Sequence, residues 1–154
     1  MGKLKIYVSC SLTHAPEEYK ENIKMLIKEL KKIDFVEILE FCSPLPGQQQ
    51  SVFDAQDVYH NDIHQCVEHA HVLISEISLP STGLGFELAT AMEKHSTQVI
   101  MFAHKEAVVS KLILGAAIAH NCSVYRYDDS IMEHMTELRT QLIQLYHGKV
   151  RVFH

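Results

Sequence analysis

The 154-residue chain carries 47% hydrophobic and 21% charged residues, enough apolar material for one domain, 1–154, to bury its own core. Its formal net charge of -5 excludes the broad cationic surface that grips a nucleic-acid polymer by counterion release, so no polymeric nucleic-acid partner is expected. The four cysteines form no CxxC pair, the eleven histidines form no HExxH set, and no apolar run reaches the ~20 residues that span a bilayer. Reduced thiols, a cytoplasmic location, no metal or other cofactor and no membrane contact follow as expectations.

The opening MGKLKIYVSC runs directly into a strand-like segment and lacks the three regions of a signal peptide, so export is not expected. The first strand is predicted over Lys5 to Ser9. Tyr19, Ile23, Leu26, Ile27 and Leu30 then recur at helical spacing, with Pro16 suited to the first turn. A second strand is predicted over Phe35 to Phe41. The stretch Cys42 to Asp54 holds Pro44, Pro46, Gly47 and three glutamines without periodicity, and reads either as an active-site loop or as a solvated connection.

A helix over Val58 to His69 leads into a strand over Val72 to Ile77, a helix over Gly85 to Lys94 and a strand over Val99 to Ala103. A helix over Val108 to Ala119 and a strand over Ser123 to Tyr127 follow. Met132, Met135, Leu138, Leu142 and Leu145 mark a closing helix, capped by Asp128, Asp129 or Ser130. The strand runs lack polar alternation, as strands covered on both faces do, and they alternate with helices throughout. The expected fold class is α/β, a doubly wound five-stranded parallel sheet with helices on both faces, flavodoxin- or Rossmann-like.

In such a sheet, ligands gather where loops leave the carboxyl ends of the strands. Two loops there hold candidate chemistry. Ser9-Cys10-Ser11-Leu12-Thr13-His14-Ala15 follows the first strand; its hydroxyls and amides suit a phosphate, although Ser and Thr before a helix also serve as simple caps. Ser78-Leu79-Pro80-Ser81-Thr82-Gly83-Leu84-Gly85-Phe86-Glu87 follows the third, and its glycines permit close approach of a ligand to the backbone. Glu87 is expected in the first turn of the next helix, where the positive end of the macrodipole keeps a carboxylate charged or where the carboxylate merely stabilises the helix end.

The segment HVLISEISLPSTGLGFE, from His71 to Glu87, resembles the signature of the nucleoside 2-deoxyribosyltransferase-like family, and most of all that of the 2'-deoxynucleoside 5'-phosphate N-hydrolases. Supporting likeness comes from Ile6 to Ser11, which keeps a Tyr-x-x-x-Ser spacing, and from Ser110 to Ala117. By that resemblance Glu87 is the nucleophilic carboxylate that attacks the anomeric carbon, and Tyr7 is the tyrosine that hydrogen-bonds it. Ser11, Leu12, Thr13, Ser81, Gly83, Ser110 and Leu112 then contact the substrate, a nucleotide or nucleoside, and His14 is a further candidate contact where the family's pattern is not kept. Ser110 would cross from a neighbouring subunit, which implies a homodimer.

The family also places an aspartate on the helix before the signature strand to handle the leaving base. Asp62 is the candidate, yet it stands one residue before the expected position, occupied by Ile63, and such a shift turns a side chain by ~100° on an α-helix. Either the helix is locally rewound or the acid function has moved, with His64 as the substitute. Where close relatives carry Ile-Arg-Gly-Gly after the first serine, this chain has Leu12-Thr13-His14-Ala15, so a bidentate phosphate partner is missing.

The implied activity is hydrolysis of the N-glycosidic bond of a (2'-deoxy)nucleoside 5'-monophosphate through a glycosyl-enzyme intermediate. A base-exchanging deoxyribosyltransferase and a non-catalytic nucleotide-binding module are the alternatives.

Overall fold

The computed structural model describes residues 2–12, 14–39 and 54–152, without the side chains of 149–152. Thr13 and nearly all of the Cys42 to Asp54 stretch lie outside the described residues. The elements run β1 Leu4–Cys10, α1 Glu17–Lys31, β2 Val36–Leu39, α2 Ala55–Tyr59 continuing as a π-helical stretch His60–Val67, β3 Val72–Glu76 and α3 Thr82–Glu93. They continue as β4 Gln98–His104, α4 Lys111–Ala119, β5 Ser123–Tyr127, a 3-10 turn Ile131–His134 and α5 Met135–Val152.

All four strand pairings are parallel, in the order β2-β1-β3-β4-β5. Successive connections therefore leave β1 and β3 in opposite directions, and a crevice opens between the carboxyl ends of these two strands. Every residue of β3 is buried, which accounts for its lack of polar alternation.

Alternate side chains divide the core in two. Leu4, Ile6, Val8, Val72, Ile74, Ile100 and Phe102 meet Ile23, Leu26 and Leu30 of α1 and Leu138 and Leu142 of α5 on one face. Tyr7, Leu73, Val99 and Met101 meet Val67, Leu84, Leu88 and Ala117 on the other. Burial of ~25 cal/mol per Å² of apolar surface on both faces drives the layering.

Several boundaries move. Pro16 stands one place before α1, whose first turn holds Glu17 and Glu18 and whose last holds Lys28 and Lys31, matching the macrodipole at both ends. Ser130 caps the 3-10 turn in a capping box with Glu133. The fourth helix begins at Lys111, three residues later than expected, and leaves Val108 in the preceding loop at 95% exposure. Among the described residues, no helix is long and apolar enough to cross a membrane.

Candidate active site

The site grows from the register of β1 against β3. Tyr7 pairs with Leu73 and Ser9 with Ser75. With period-2 alternation, Tyr7, Ser9 and Ser75 point to the face covered by the π-helical stretch and α3. The Tyr7 hydroxyl donates a hydrogen bond to Glu87 Oε1 at 3.2 Å. Ser9 and Ser75 hydroxyls lie 3.1 Å apart, both fully buried, and Ser9 also hydrogen-bonds Glu87. Burial and the neighbouring Glu87 charge push the Tyr7 phenol far above its ordinary range, so it remains a donor.

Glu87 departs from expectation in two respects. Ser81 is the N-cap of α3, its hydroxyl accepting from the Leu84 amide at 3.3 Å, so the helix starts earlier and Glu87 falls in the second turn. There the macrodipole has weakened and burial prevails. At 8% exposure the carboxyl is pushed up to about 7, first by desolvation and further by the charge of Asp62, against the lowering effect of Ser9 and Tyr7. The expectation of a permanently charged carboxylate at a helix mouth is therefore corrected.

Asp62 reaches this site through the π-helical stretch. The Glu68 amide bonds to the Ile63 carbonyl at 2.9 Å, five residues back, so each turn holds more residues than in an α-helix. Such rewinding absorbs a one-residue offset, and Asp62 is close enough to raise both Glu87 and Tyr7. Its Oδ1 is buried with no hydrogen-bond partner among the described residues, and desolvation raises its own carboxyl. His64 instead pairs with Glu68, Nδ1 to Oε2 2.9 Å, and packs its ring against Tyr59.

The other candidates separate into groups. Ser81 and Ser110 line one cleft of about 410 Å³ between the starts of α3 and α4, together with Pro80, Gly85 and Val109; Glu87 is not one of its lining residues. Gly83 and Gly85 need no unusual backbone, and a Cβ at Gly85 meets nothing within 4 Å, so their contribution is an uncovered helix start. Ser11 is buried and its amide is already taken, donating to the Tyr19 hydroxyl at 3.3 Å. Leu12 is partly buried, whereas His14 is exposed with a left-handed φ of 58°, a conformation that favours glycine. Leu112 is 80% exposed and does not line the cleft that holds Ser110, so within one copy of the chain it is not brought to the site.

Sequence reading missed Ser75 and Glu76, polar residues set in an apolar strand run, and took Ser9 only as part of the phosphate-suited first loop, whereas it lies beside Ser75 and Glu87. Polar groups interrupting a strand that is buried on both faces were the available signal, because each must find a partner there. Among the described residues, no group of three or more His, Cys, Asp or Glu is arranged to hold a metal ion.

Fold and site together describe an α/β protein with two neighbouring carboxyl groups beside the switch point of its sheet. No family model matches the chain. A protein of Thermofilum pendens provisionally named 2'-deoxynucleoside 5'-phosphate N-hydrolase 1 is 27% identical over 114 residues, covering 73% of this chain and 78% of that one. A Methanosarcina mazei protein with the same provisional name is 26% identical over 116 residues, covering 74% and 70%. The solved structure of Clostridium botulinum CMP N-glycosidase BcmB superposes with a TM-score of 0.67 at 16% identity, over 89% of this chain and 98% of that one, a likeness of fold. The chain is thus similar in sequence to two proteins provisionally named for the N-hydrolysis of 2'-deoxynucleoside 5'-phosphates, and in fold to a CMP N-glycosidase.

Proposed function

We propose that the chain is an N-glycosidase that hydrolyses (2'-deoxy)nucleoside 5'-monophosphates, with Glu87 as nucleophile. The observation carrying this reading is the buried Glu87 carboxyl, held by Tyr7 at 3.2 Å and near Asp62, whose buried Oδ1 has no hydrogen-bond partner among the described residues. The relatives' names, with their shared N-hydrolase and N-glycosidase chemistry, support the reaction class.

In the first step a Glu87 oxygen bonds to C1' as the C1'–N bond breaks, and the electron pair leaves with the base. Positive charge growing on the sugar is stabilised by the carboxylate that captures it. Asp62, whose carboxyl is biased toward its protonated form, donates that proton to the departing base. In the second step the Asp62 carboxylate accepts a proton from water, whose oxygen bonds to C1' and releases Glu87. Tyr7 keeps its hydroxyl on Glu87 and holds the attacking oxygen in place.

The cleft with Ser81 and Ser110 offers hydroxyl donors for the 5'-phosphate. Leu112, Ile118 and Val108 are 80%, 83% and 95% exposed around α4, which buries only Ala117. That apolar face continues from the Ser110 end of the cleft, and in this reading a second copy of the chain covers it.

Glu87→Ala tests the assignment: released base, followed chromatographically, should fall to background, and undiminished turnover would refute it. Addition of a free base distinguishes hydrolysis from transfer. Formation of a new nucleotide in place of free sugar phosphate would favour the transferase.

A further inference from the structure

On the face of the sheet opposite Glu87 lies a second enclosed carboxylate. Glu76 closes β3 at 1% exposure. Its oxygens accept hydrogen bonds from the Ser78 amide at 3.1 Å, the Tyr127 hydroxyl at 3.0 Å and the Ser78 hydroxyl. Ser78 Oγ accepts from the His104 amide at 2.7 Å. The Tyr19 hydroxyl donates to the Glu76 backbone carbonyl at 3.2 Å while accepting from the Ser11 amide.

The Glu76 side chain thus ties the start of the Ser78 loop to the ends of β4 and β5, while its backbone carbonyl, through Tyr19, meets Ser11 beyond the end of β1. One loop flanking the crevice carries Ser11 to His14; the other carries Ser78 to Ser81. A buried carboxyl group is costly unless its lone pairs are filled, and here three neutral donors fill them. A multipoint grip on a phosphate is sensitive to loop placement, since displacement of ~1 Å already degrades several hydrogen bonds together.

We propose that the Glu76 side chain is a positioning group that holds the Ser78–Ser81 loop against the ends of β4 and β5 and so determines how tightly the site holds the 5'-substituent of the sugar. The inference rests on the proposed nucleotide reading. It assigns Glu76 no contact with substrate.

The test compares 2'-deoxynucleoside 5'-monophosphates with the matching free nucleosides in Glu76→Ala, Glu76→Gln and Tyr127→Phe. KM for the monophosphate should rise about tenfold or more in Glu76→Ala and ~2–10-fold in Tyr127→Phe, as expected for the hydrogen bonds removed. KM for the nucleoside and kcat for both should stay within about threefold. Glu76→Gln should recover most of the monophosphate preference, because the Ser78 and Tyr127 hydroxyls can turn to accept from an amide.

Equal KM increases for both substrates, loss of kcat alone, unchanged kinetics, or a wild type that treats the two substrates alike would each overturn the proposal. Should Glu76→Ala fail to fold, Tyr127→Phe carries the same comparison. Base release that survives Glu87→Ala would count against the nucleophile assignment and leave the KM comparison readable.

Discussion

Two buried carboxyl groups, Glu76 and Glu87, lie near the crevice, on opposite faces of the same sheet, and their surroundings differ. Glu76 accepts three hydrogen bonds from Ser78 and Tyr127, so its lone pairs are largely occupied. Glu87 has the hydroxyls of Tyr7 and Ser9, and it lies near a second carboxyl, that of Asp62, whose buried Oδ1 has no partner among the described residues. A saturated carboxylate fixes its neighbours; a carboxyl whose proton affinity is raised by burial and by a second acid beside it is available to a proton or an electrophilic carbon. Burial alone therefore does not separate the two groups; the second carboxyl beside Glu87 does.

Mutation should widen that contrast. Glu87→Ala is expected to lower kcat by about 10⁴-fold or more, the scale seen when a nucleophile is removed. Asp62→Asn follows, with a loss of ~10²–10⁴-fold that should shrink for substrates whose base leaves without protonation, measured by single-turnover base release. Tyr7→Phe removes one hydrogen bond to a charged group and should cost about 10–100-fold in kcat. A Glu76→Gln change that reduced kcat as severely as Asp62→Asn would erase the distinction between the two regions.

The pH dependence sharpens it further. In the proposed mechanism Glu87 attacks as the ionised form, so kcat/KM should fall as pH drops below about 7, and Glu76→Gln should leave that limb in place. The stability effect has the opposite sign. Because the folded Glu87 carboxyl is raised, its contribution is fully present below the ordinary carboxylate range and is lost as pH rises through about 7. Glu87→Gln should thus be more stable than the parent at pH 8, by on the order of 1–3 kcal/mol, and indistinguishable near pH 4. A thermal melt showing the reverse order would mean that the site does not burden the fold.

The smallest expected effect concerns Ser81. Ser81→Ala removes the cap on Leu84 and should cost ~1 kcal/mol of stability, with an additional rise in KM only if the hydroxyl also meets phosphate.

Much of the layered architecture was legible from residues alone. Runs such as VLIS and VIMFA lack alternation because both faces of β3 and β4 are covered, and Tyr19, Ile23, Leu26 and Leu30 mark the buried stripe of α1. Glu87 and Tyr7 were legible as a pair only through the family motif, since a distance of eighty positions carries no local signal. The Asp62 offset was visible as a discrepancy, but its resolution was not: π-helical winding depends on hydrogen bonds whose choice the local residues do not fix.

The ionisation of Glu87 was misread because helix position suggested a field while burial, a tertiary property, proved stronger. The Glu76 network stayed hidden for the same reason. Its partners Tyr127 and His104 come from other strands, and a lone Glu in an apolar run has no spacing to interpret.

The stereochemistry of methanolysis tests the covalent mechanism most directly. With methanol replacing water as acceptor, two successive displacements at C1' should give the methyl glycoside in the β configuration of the starting nucleotide, readable by proton NMR. A product of inverted, α configuration would show that the acceptor attacks C1' directly and that Glu87 forms no bond to the sugar.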